Sequence, residues 1–365
     1  MPWPPASELL ASLAPWFDRE RRDLPWRAAD LDTPHPDPYA VLVSELMLQQ
    51  TQVATVVPYF RRWMAAFPTP AALAAAGEDA VHKAWEGLGY YRRARFLKAD
   101  AGAVAADGWP ADLEGLSELP GLGPYTAAAV GAQAFQWPAP ALDGNAFRVL
   151  ARLLLIEGDP KSRAPELRGW LAPALAALGP SRLTQALMEL GATVCTPQPA
   201  CGRCPLADRC AARAAGRTAG IPPPARRAQV RAVDLWLVAV EAGDRFLLHP
   251  PAPRGLLAGL WRWPAIEHAG AVGPAPACLR AWPGWTQVYT HRREAVTPLH
   301  LALPRGFPPA GGLRWVPRAE LSALPLGKRD QRLRDLLATP GSVPSQGPAV
   351  AALLAGLSAG GVPPA

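Results

Sequence analysis

Two carboxylates and four thiols are the side chains of this sequence whose type and spacing could do chemistry. Residues 195–210 read CTPQPACGRCPLADRC and set Cys195, Cys201, Cys204 and Cys210 at gaps of five, two and five. One loop with this spacing wraps a single compact object, a tetrahedral metal ion or an iron–sulfur cube. A structural zinc usually takes two C-x2-C knuckles set apart. Only one knuckle is present, so the spacing suits the cube better than zinc or free thiols. Arg203 and Arg209 lie in the loop and are expected beside the thiolates, pointing at phosphate, or both. The carboxylates are Glu45, in VLVSELMLQQTQV, and Asp143, in LDGNAFRVLARLL. Taken alone, Asp143 reads as a helix N-cap. Glu45 stands among apolar neighbours, with Gln49 and Gln52 expected on its helix face. A semi-buried carboxyl has a raised pKa and is a proton donor near neutral pH. A carboxylic acid paired with a carboxylate is what glycosidic-bond cleavage needs, one for the leaving group and one for the cationic sugar.

Two further segments suit a polyanion. ELPGLGPYTAAAVGAQAF (118–135) opens a helix on Gly121 and Gly123, where backbone N–H groups point at an anion. The preceding LEGLSELP is a candidate first helix of a helix–hairpin–helix over 116–131, a motif that grips DNA phosphate without reading bases. WEGLGYYRRARFLKA (85–99) places aromatic and apolar groups beside arginines, which suits insertion into a base stack. An ordinary helix–helix turn and a solvated arginine face would look the same in isolation.

The elements that must position these residues fall into two textures. Residues 7–194 carry apolar residues at helical spacing, including one long run over 39–67, broken by FPTP, ELPGLGP and GDPKSRAP. That predicts an all-α domain over 1–212, closed by the cysteine loop. Residues 29–38 form a loop with His35 expected in solvent. A linker is expected over 213–232. From 233 to 337 short alternating segments such as DLWLVAVEAG, DRFLLHP, LWRWPAI, TQVYTH and VTPLHLALP read as strands, with helices at RAELSALPL and KRDQRLRDLLA, giving an α+β domain. Residues 338–365 are low-complexity and expected to be disordered.

The 365 residues are enough for two domains, and a net charge of +7 is compatible with a nucleic-acid partner. No apolar stretch is long enough to span a membrane, and no secretory leader is read at the N-terminus. A reducing cytoplasm is the expected compartment, where clustered cysteines bind metal more often than they pair.

Together and in order, SELMLQQTQV, WEGLGYYRRARFL, LPGLGPYTAAAV, LDGNAFRVLARLL and the four-Cys loop resemble the helix–hairpin–helix DNA glycosylases of the endonuclease III superfamily, closest to the MutY-type adenine DNA glycosylases. The resemblance is dense over about 16–210 and weaker to about 337. It implies a monomer that flips adenine out of a mispair with 8-oxoguanine or guanine in double-stranded DNA and hydrolyses its N-glycosidic bond. It implies a [4Fe–4S] cluster on the four cysteines. On the matching positions, Glu45 would protonate the departing adenine at N7, Asp143 would stabilise the oxocarbenium ion, and Asn145 would help hold the site. Gln50 and Thr51 would wedge near the lesion pair, and Leu88 and Tyr90 would contact 8-oxoguanine. Gly121 and Gly123 would grip phosphate. Tyr125 stands where the bifunctional members carry a Schiff-base lysine, which implies a monofunctional enzyme. RGLLAGLWRWP (254–264) and VYTH (288–291) resemble a Nudix-like lesion-recognition domain, with Tyr289, Thr290 and His291 against 8-oxoguanine. The glutamate-rich helix that holds Mg²⁺ in a working Nudix hydrolase does not occur between Trp263 and Trp285. The first cysteine gap is one residue shorter than the family's six.

Overall fold

A computed structural model describes residues 3–224, 230–255, 257–268, 280–289, 291–309 and 311–338. Thr290, residues 339–365 and the middle of the expected linker, 225–229, lie outside the described residues. The helices in chain order are α1 (Ala6–Leu9), α2 (Leu13–Glu20), α3 (Pro38–Leu48), α4 (Val53–Ala66), α5 (Pro70–Ala75), α6 (Glu78–Trp85), α7 (Arg92–Asp107), α8 (Leu113–Glu118), α9 (Pro124–Phe135), α10 (Gly144–Leu153), α11 (Ala164–Leu178), α12 (Pro180–Thr193), α13 (Ala211–Ala214) and α14 (Lys328–Ala338). The strands are β1 (Arg231–Ala242), β2 (Arg245–Leu248), β3 (Ala265–His268), β4 (Arg280–Ala281), β5 (Trp285–Val288), β6 (Arg292–Ala302) and β7 (Arg314–Pro317). Among the described residues, no helix is long and apolar enough to cross a membrane.

The chain divides into two compact units. One comprises residues up to 76 and 93–226. The other comprises 77–92 and everything from 227 onward. The helical unit is built as its pattern of apolar residues predicts. Leu10, Leu13, Phe17, Leu150, Leu167 and Leu183 are fully buried in one core shared by α2, α10, α11 and α12. Ala212 and Ile221 are buried in the same core, so the stretch read as a linker packs on the helical unit as far as Ile221. His35 also departs from expectation. Its backbone N–H donates to Ala134 O and its Nδ1 accepts from Asp37 N, so the ring is half-buried and burial lowers its pKa.

In the other unit a mixed sheet runs β4-β6-β1-β2-β7, with β3 on β1 and β5 on β6. Its spine is the parallel pair β1 and β6, in register from Arg231 against Arg292 to Glu241 against Ala302. Pro298 sits inside β6 without breaking this ladder. Its carbonyl accepts from Trp282 N, so its missing N–H faces the gap between β4 and β5. LWRWPAI, read as a strand, contributes two isolated bridges (His249 to Arg262, Trp261 to Leu326) before β3. RAELSALPL, read as a helix, holds a single 3₁₀ turn at Arg318–Glu320, whereas α14 spans the expected KRDQRLRDLLA. A buried ionic group ties α14 to β6. Arg329 reaches Glu294 and Asp330, Arg292 donates to Glu294 at 2.7 Å, and Asp330 accepts from Trp263 N at 2.8 Å. Every charge there is paired, which is the condition for tolerating it inside.

The 77–92 segment is held to the sheet side by specific contacts. Lys83 Nζ donates to Leu324 O at 3.3 Å, and Leu326 N donates to Glu86 at 3.0 Å. Gly259 has φ +82°, and a Cβ there would lie 2.6 Å from the His82 ring. Both the backbone conformation and the close approach require glycine at 259.

Candidate active site and cysteine loop

Glu45 lies on α3, which starts cleanly because Asp37 accepts from Tyr39 N and Ala40 N and Pro38 occupies its first turn. The helix is buried almost all round, and Glu45 is only 5% exposed. Two donors from α9 meet its carboxyl group. Tyr125 OH donates to Oε2 at 3.1 Å and Gln133 Nε2 donates to Oε1 at 2.7 Å. Burial pushes the Glu45 pKa up to about 7. The hydrogen bonds from Gln133 and Tyr125 pull it down, and the nearby charge of Asp143 adds to the rise. The side chain is thus a carboxylic acid able to hold a proton near neutrality. Burial, then the neighbouring carboxylates, hold the Tyr125 phenol well above its ordinary range.

Asp143 caps α10 as its position predicts, accepting from Ala146 N at 2.7 Å through Oδ1. Its Oδ2 is engaged separately, by Asn145 Nδ2 at 2.9 Å. Asn145 Oδ1 accepts from Arg148 at 2.6 Å, and Arg148 donates on to Gly191 O and Cys195 O, each at 2.8 Å. Gly191 on α12 is where this arrangement is tightest. A Cβ there would stand 2.6 Å from Asn145 Cβ and 3.1 Å from its Cα. The cap is therefore one end of a hydrogen-bonded chain that fixes both carboxylate oxygens of Asp143.

The expected stripe of Glu45, Gln49 and Gln52 on one helix face does not form. α3 ends at Leu48, Gln50 turns left-handed with φ 57°, and α4 begins only at Val53. Arg93, 5% exposed, stops the helix. Its guanidinium donates to Leu46 O and Met47 O at 2.8 Å each and to Gln49 O at 2.5 Å, and it also reaches Thr51 Oγ1. Carbonyls that a continuing helix would have used are taken by a cation, in the place where the helix dipole favours one. Gln49 turns instead to Thr126 Oγ1 at 3.1 Å, while Gln50 is exposed and Thr51 half-buried.

α8 and α9 flank the Pro120–Gly123 turn as a helix–hairpin–helix. Only Gly121 has a left-handed backbone (φ 81°), and a Cβ there would collide with Phe96 at 2.4 Å. Gly123 is open, and no side chain caps the N–H groups of α9. In 77–92, Gly87, Gly89 and Tyr90 all have positive φ. Tyr90 is 45% exposed and Leu88 is 6% exposed. Near the sheet, Tyr289 is half-buried with its backbone N–H on Arg292 O, and His291 is exposed. Burial raises the Tyr289 pKa above its usual range.

Cys195, Cys201, Cys204 and Cys210 are half-buried and none is in a disulfide. Their sulfurs share one locality. Burial pushes the Cys204 thiol up to about 11, and the charges of Cys195, Cys210 and Cys201 add to that rise. Four soft thiol donors from one short loop are the donor type that an iron–sulfur group takes, and its metal charge would hold them as thiolates. Among the described residues, no group of three or more His, Cys, Asp or Glu side chains is placed to hold a metal ion. The short first gap closes through Ala200 N on Val194 O at 3.0 Å, with Thr196 Oγ1 on Gln198 O. Arg152 of α10 meets a thiol directly, whereas Arg203 and Arg209 are exposed. Arg152 is 3% exposed and its guanidinium donates to Cys195 Sγ at 3.4 Å, Thr196 O at 2.6 Å, Pro197 O at 2.9 Å and Ile221 O at 2.8 Å.

Gln133, Arg93, Arg148, Arg152 and Gly191 escape the sequence reading. Gln133 alone leaves a mark there, as the single amide in the otherwise small or apolar AAAVGAQAF.

Residues 43–173 match the family described as the HhH-GPD superfamily of base excision DNA repair proteins. The chain is 44% identical over 224 residues to an adenine DNA glycosylase of Mycobacterium tuberculosis, covering 59% of this chain and 71% of that protein. It is 38% identical over 296 residues to the Arabidopsis thaliana adenine DNA glycosylase, covering 70% of this chain and 46% of that protein. The human adenine DNA glycosylase matches at 46% identity over 211 residues, covering 55% and 39%. The chain thus spans less than half the length of the plant and human relatives. Among solved structures, a thermostable thymine-DNA glycosylase superposes with a TM-score of 0.50 at 26% identity, covering 57% of this chain and 96% of that one. Identity at this level across most of the mycobacterial relative's length, on a helix–hairpin–helix fold, shows that the chain belongs to the adenine DNA glycosylase family within the HhH-GPD base excision superfamily.

Proposed function

We propose that this protein is a monofunctional adenine DNA glycosylase that removes adenine opposite 8-oxoguanine or guanine in double-stranded DNA. The observation that carries the reading is Glu45, a buried carboxyl group with a pKa near 7, set beside Asp143 in a chain of this family. Glu45 delivers its proton to N7 of the flipped adenine, so the base leaves as a neutral molecule. The sugar becomes cationic, and Asp143, held by Ala146 N and Asn145, faces that charge. Tyr125 and Asn145 hold the two carboxyl groups. Tyr125 cannot form a Schiff base, so the product is an intact strand with an abasic site.

DNA is gripped through the uncapped start of α9 at Gly123, with Gly121 making the turn that presents it. Gln50 and Thr51 are the wedge near the lesion pair, and Leu88 and Tyr90 contact 8-oxoguanine; Gln50 and Tyr90 are exposed on left-handed backbone. The sheet unit acts as a Nudix-like recognition domain through Tyr289, Thr290 and His291. Cys195, Cys201, Cys204 and Cys210 hold a [4Fe–4S] cluster, which when bound crosslinks the end of the helical unit. The protein works as a monomer in a reducing cytoplasm.

The test uses a duplex with adenine opposite 8-oxoguanine, analysed with and without hot alkali. Strand cleavage only after alkali is expected. Cleavage without alkali would make the protein a lyase, and no cleavage in either lane would make it a binder. Glu45→Gln is expected to lower the single-turnover rate by roughly 10²- to 10⁴-fold.

A further inference from the structure

We propose that Gln133 is a positioning residue for the acid: by donating its carboxamide N–H to Glu45 Oε1, it locks the carboxyl plane and leaves Oε2 as the oxygen that carries and releases the proton. This rests on the reading of Glu45 as the acid.

The geometry has three parts. Gln133 is 7% exposed and lies at 2.7 Å from Oε1, the shorter of the two contacts to this carboxyl group. Tyr125 and Gln133 are eight residues apart on α9, about 12 Å of helix rise. They therefore approach Glu45 from opposite ends, and rotating the carboxyl plane would break a hydrogen bond at each. Finally, the two partners differ in what they can do. A carboxylate only accepts, so the amide N–H₂ of Gln133 must face it, and Oε1 of the protonated acid, a carbonyl, still accepts from it, more weakly. Tyr125 has a hydroxyl that rotates. It donates to Oε2 of the carboxylate, or accepts from a protonated Oε2 while its own hydrogen turns toward Met188 Sδ, 4.0 Å away.

In the resting acid, the proton is on Oε2. On base departure, the Oε2–H bond breaks, the proton forms an N–H bond on the leaving base, and the electron pair stays on Glu45. Gln133 and Tyr125 then both donate to a full carboxylate, and hydrogen bonds to a charged acceptor are about twice as strong as neutral ones. Gln133 thus helps more after proton transfer than before it. The titratable groups that act on Glu45 are Tyr125 from α9 and Asp143 at the entrance to α10. α4 also packs on α3, and the buried Arg93 of α7 lies on the Leu46 and Met47 carbonyls of α3, but among the described residues no charged group of either helix is one of those acting on Glu45.

Gln133→Met keeps length and volume and removes the donor. In single-turnover excision from an adenine–8-oxoguanine duplex between pH 5 and 9.5, wild type should lose activity as pH rises through about 7. For Gln133→Met that limb should move up by about one pH unit and the plateau rate should fall by roughly tenfold, with duplex affinity unchanged. Gln133→Leu should behave alike and serves if the first variant folds poorly. A profile superposing on wild type in both variants would overturn the proposal. Glu45→Gln separates the levels: full activity there would remove the acid itself, whereas an inactive Glu45→Gln beside unmoved Gln133 profiles would remove only the role of Gln133.

Discussion

Asp100 offers a test of the physical chemistry that tunes Glu45, at a position without hydrogen bonds. It lies in α7, 0% exposed, with neither carboxyl oxygen hydrogen-bonded. Burial pushes its pKa from 3.8 to about 8. The folded protein therefore holds a proton there that the unfolded chain releases near pH 4. Stability is untouched below the unfolded pKa, falls as pH rises from there, and levels off above the folded pKa. At 1.36 kcal/mol per unit, the penalty is about 4 kcal/mol at pH 7 and about 6 kcal/mol above pH 8. Asp100→Asn keeps the shape and removes the titration. Urea unfolding of the full chain, followed by circular dichroism at 222 nm, should give nearly equal stabilities around pH 4. The variant should gain about 1.4 kcal/mol per pH unit up to pH 8. A stability difference that does not change with pH would refute the reasoning, because it would mean that Asp100 ionises in the folded state at little cost.

Two other perturbations bear on the site. Gly191→Ala should push the first turn of α10, since its Cβ would meet Asn145 at 2.6 Å. A displacement of this order is expected to cost about 10²-fold in single-turnover excision while duplex binding persists. Iron analysis of the purified protein should find a cluster with a brown colour, and Cys210→Ser should lose it. Stoichiometric zinc in its place would contradict the cluster assignment.

Glu45 was legible because an acid in so apolar a segment has few structural reasons to be there. The cap reading of Asp143 holds, since its Oδ1 accepts from Ala146 N at the start of α10, whereas the contact of its Oδ2 with Asn145 was not legible in the sequence. The break after Leu48 was not legible. LMLQQTQVATV contains no glycine or proline, and the stop is imposed by Arg93, more than forty residues along the chain, through carbonyl hydrogen bonds. In sequence Arg93 is one of three arginines within four positions, and only packing picks it out. His35 went wrong for a similar reason. A proline-rich loop reads as solvated, but the backbone pair with Ala134 draws it inward. The sheet's parallel spine was also hidden, since strand texture says nothing about direction.

The path of residues 77–92 has a consequence for how this chain can be divided or inherited. The polypeptide crosses between its units at three places, near 76, 92 and 226, so the sheet unit is not a cassette appended to a finished helical one. A fragment ending at 226 would keep α6 but lose the Leu324 and Leu326 backbone groups that hold Lys83 and Glu86, and the Gly259 turn against His82. Changes in α6 therefore have to be matched in the loops around 259 and 325. A graft that exchanges the C-terminal half between relatives should carry 77–92 with it.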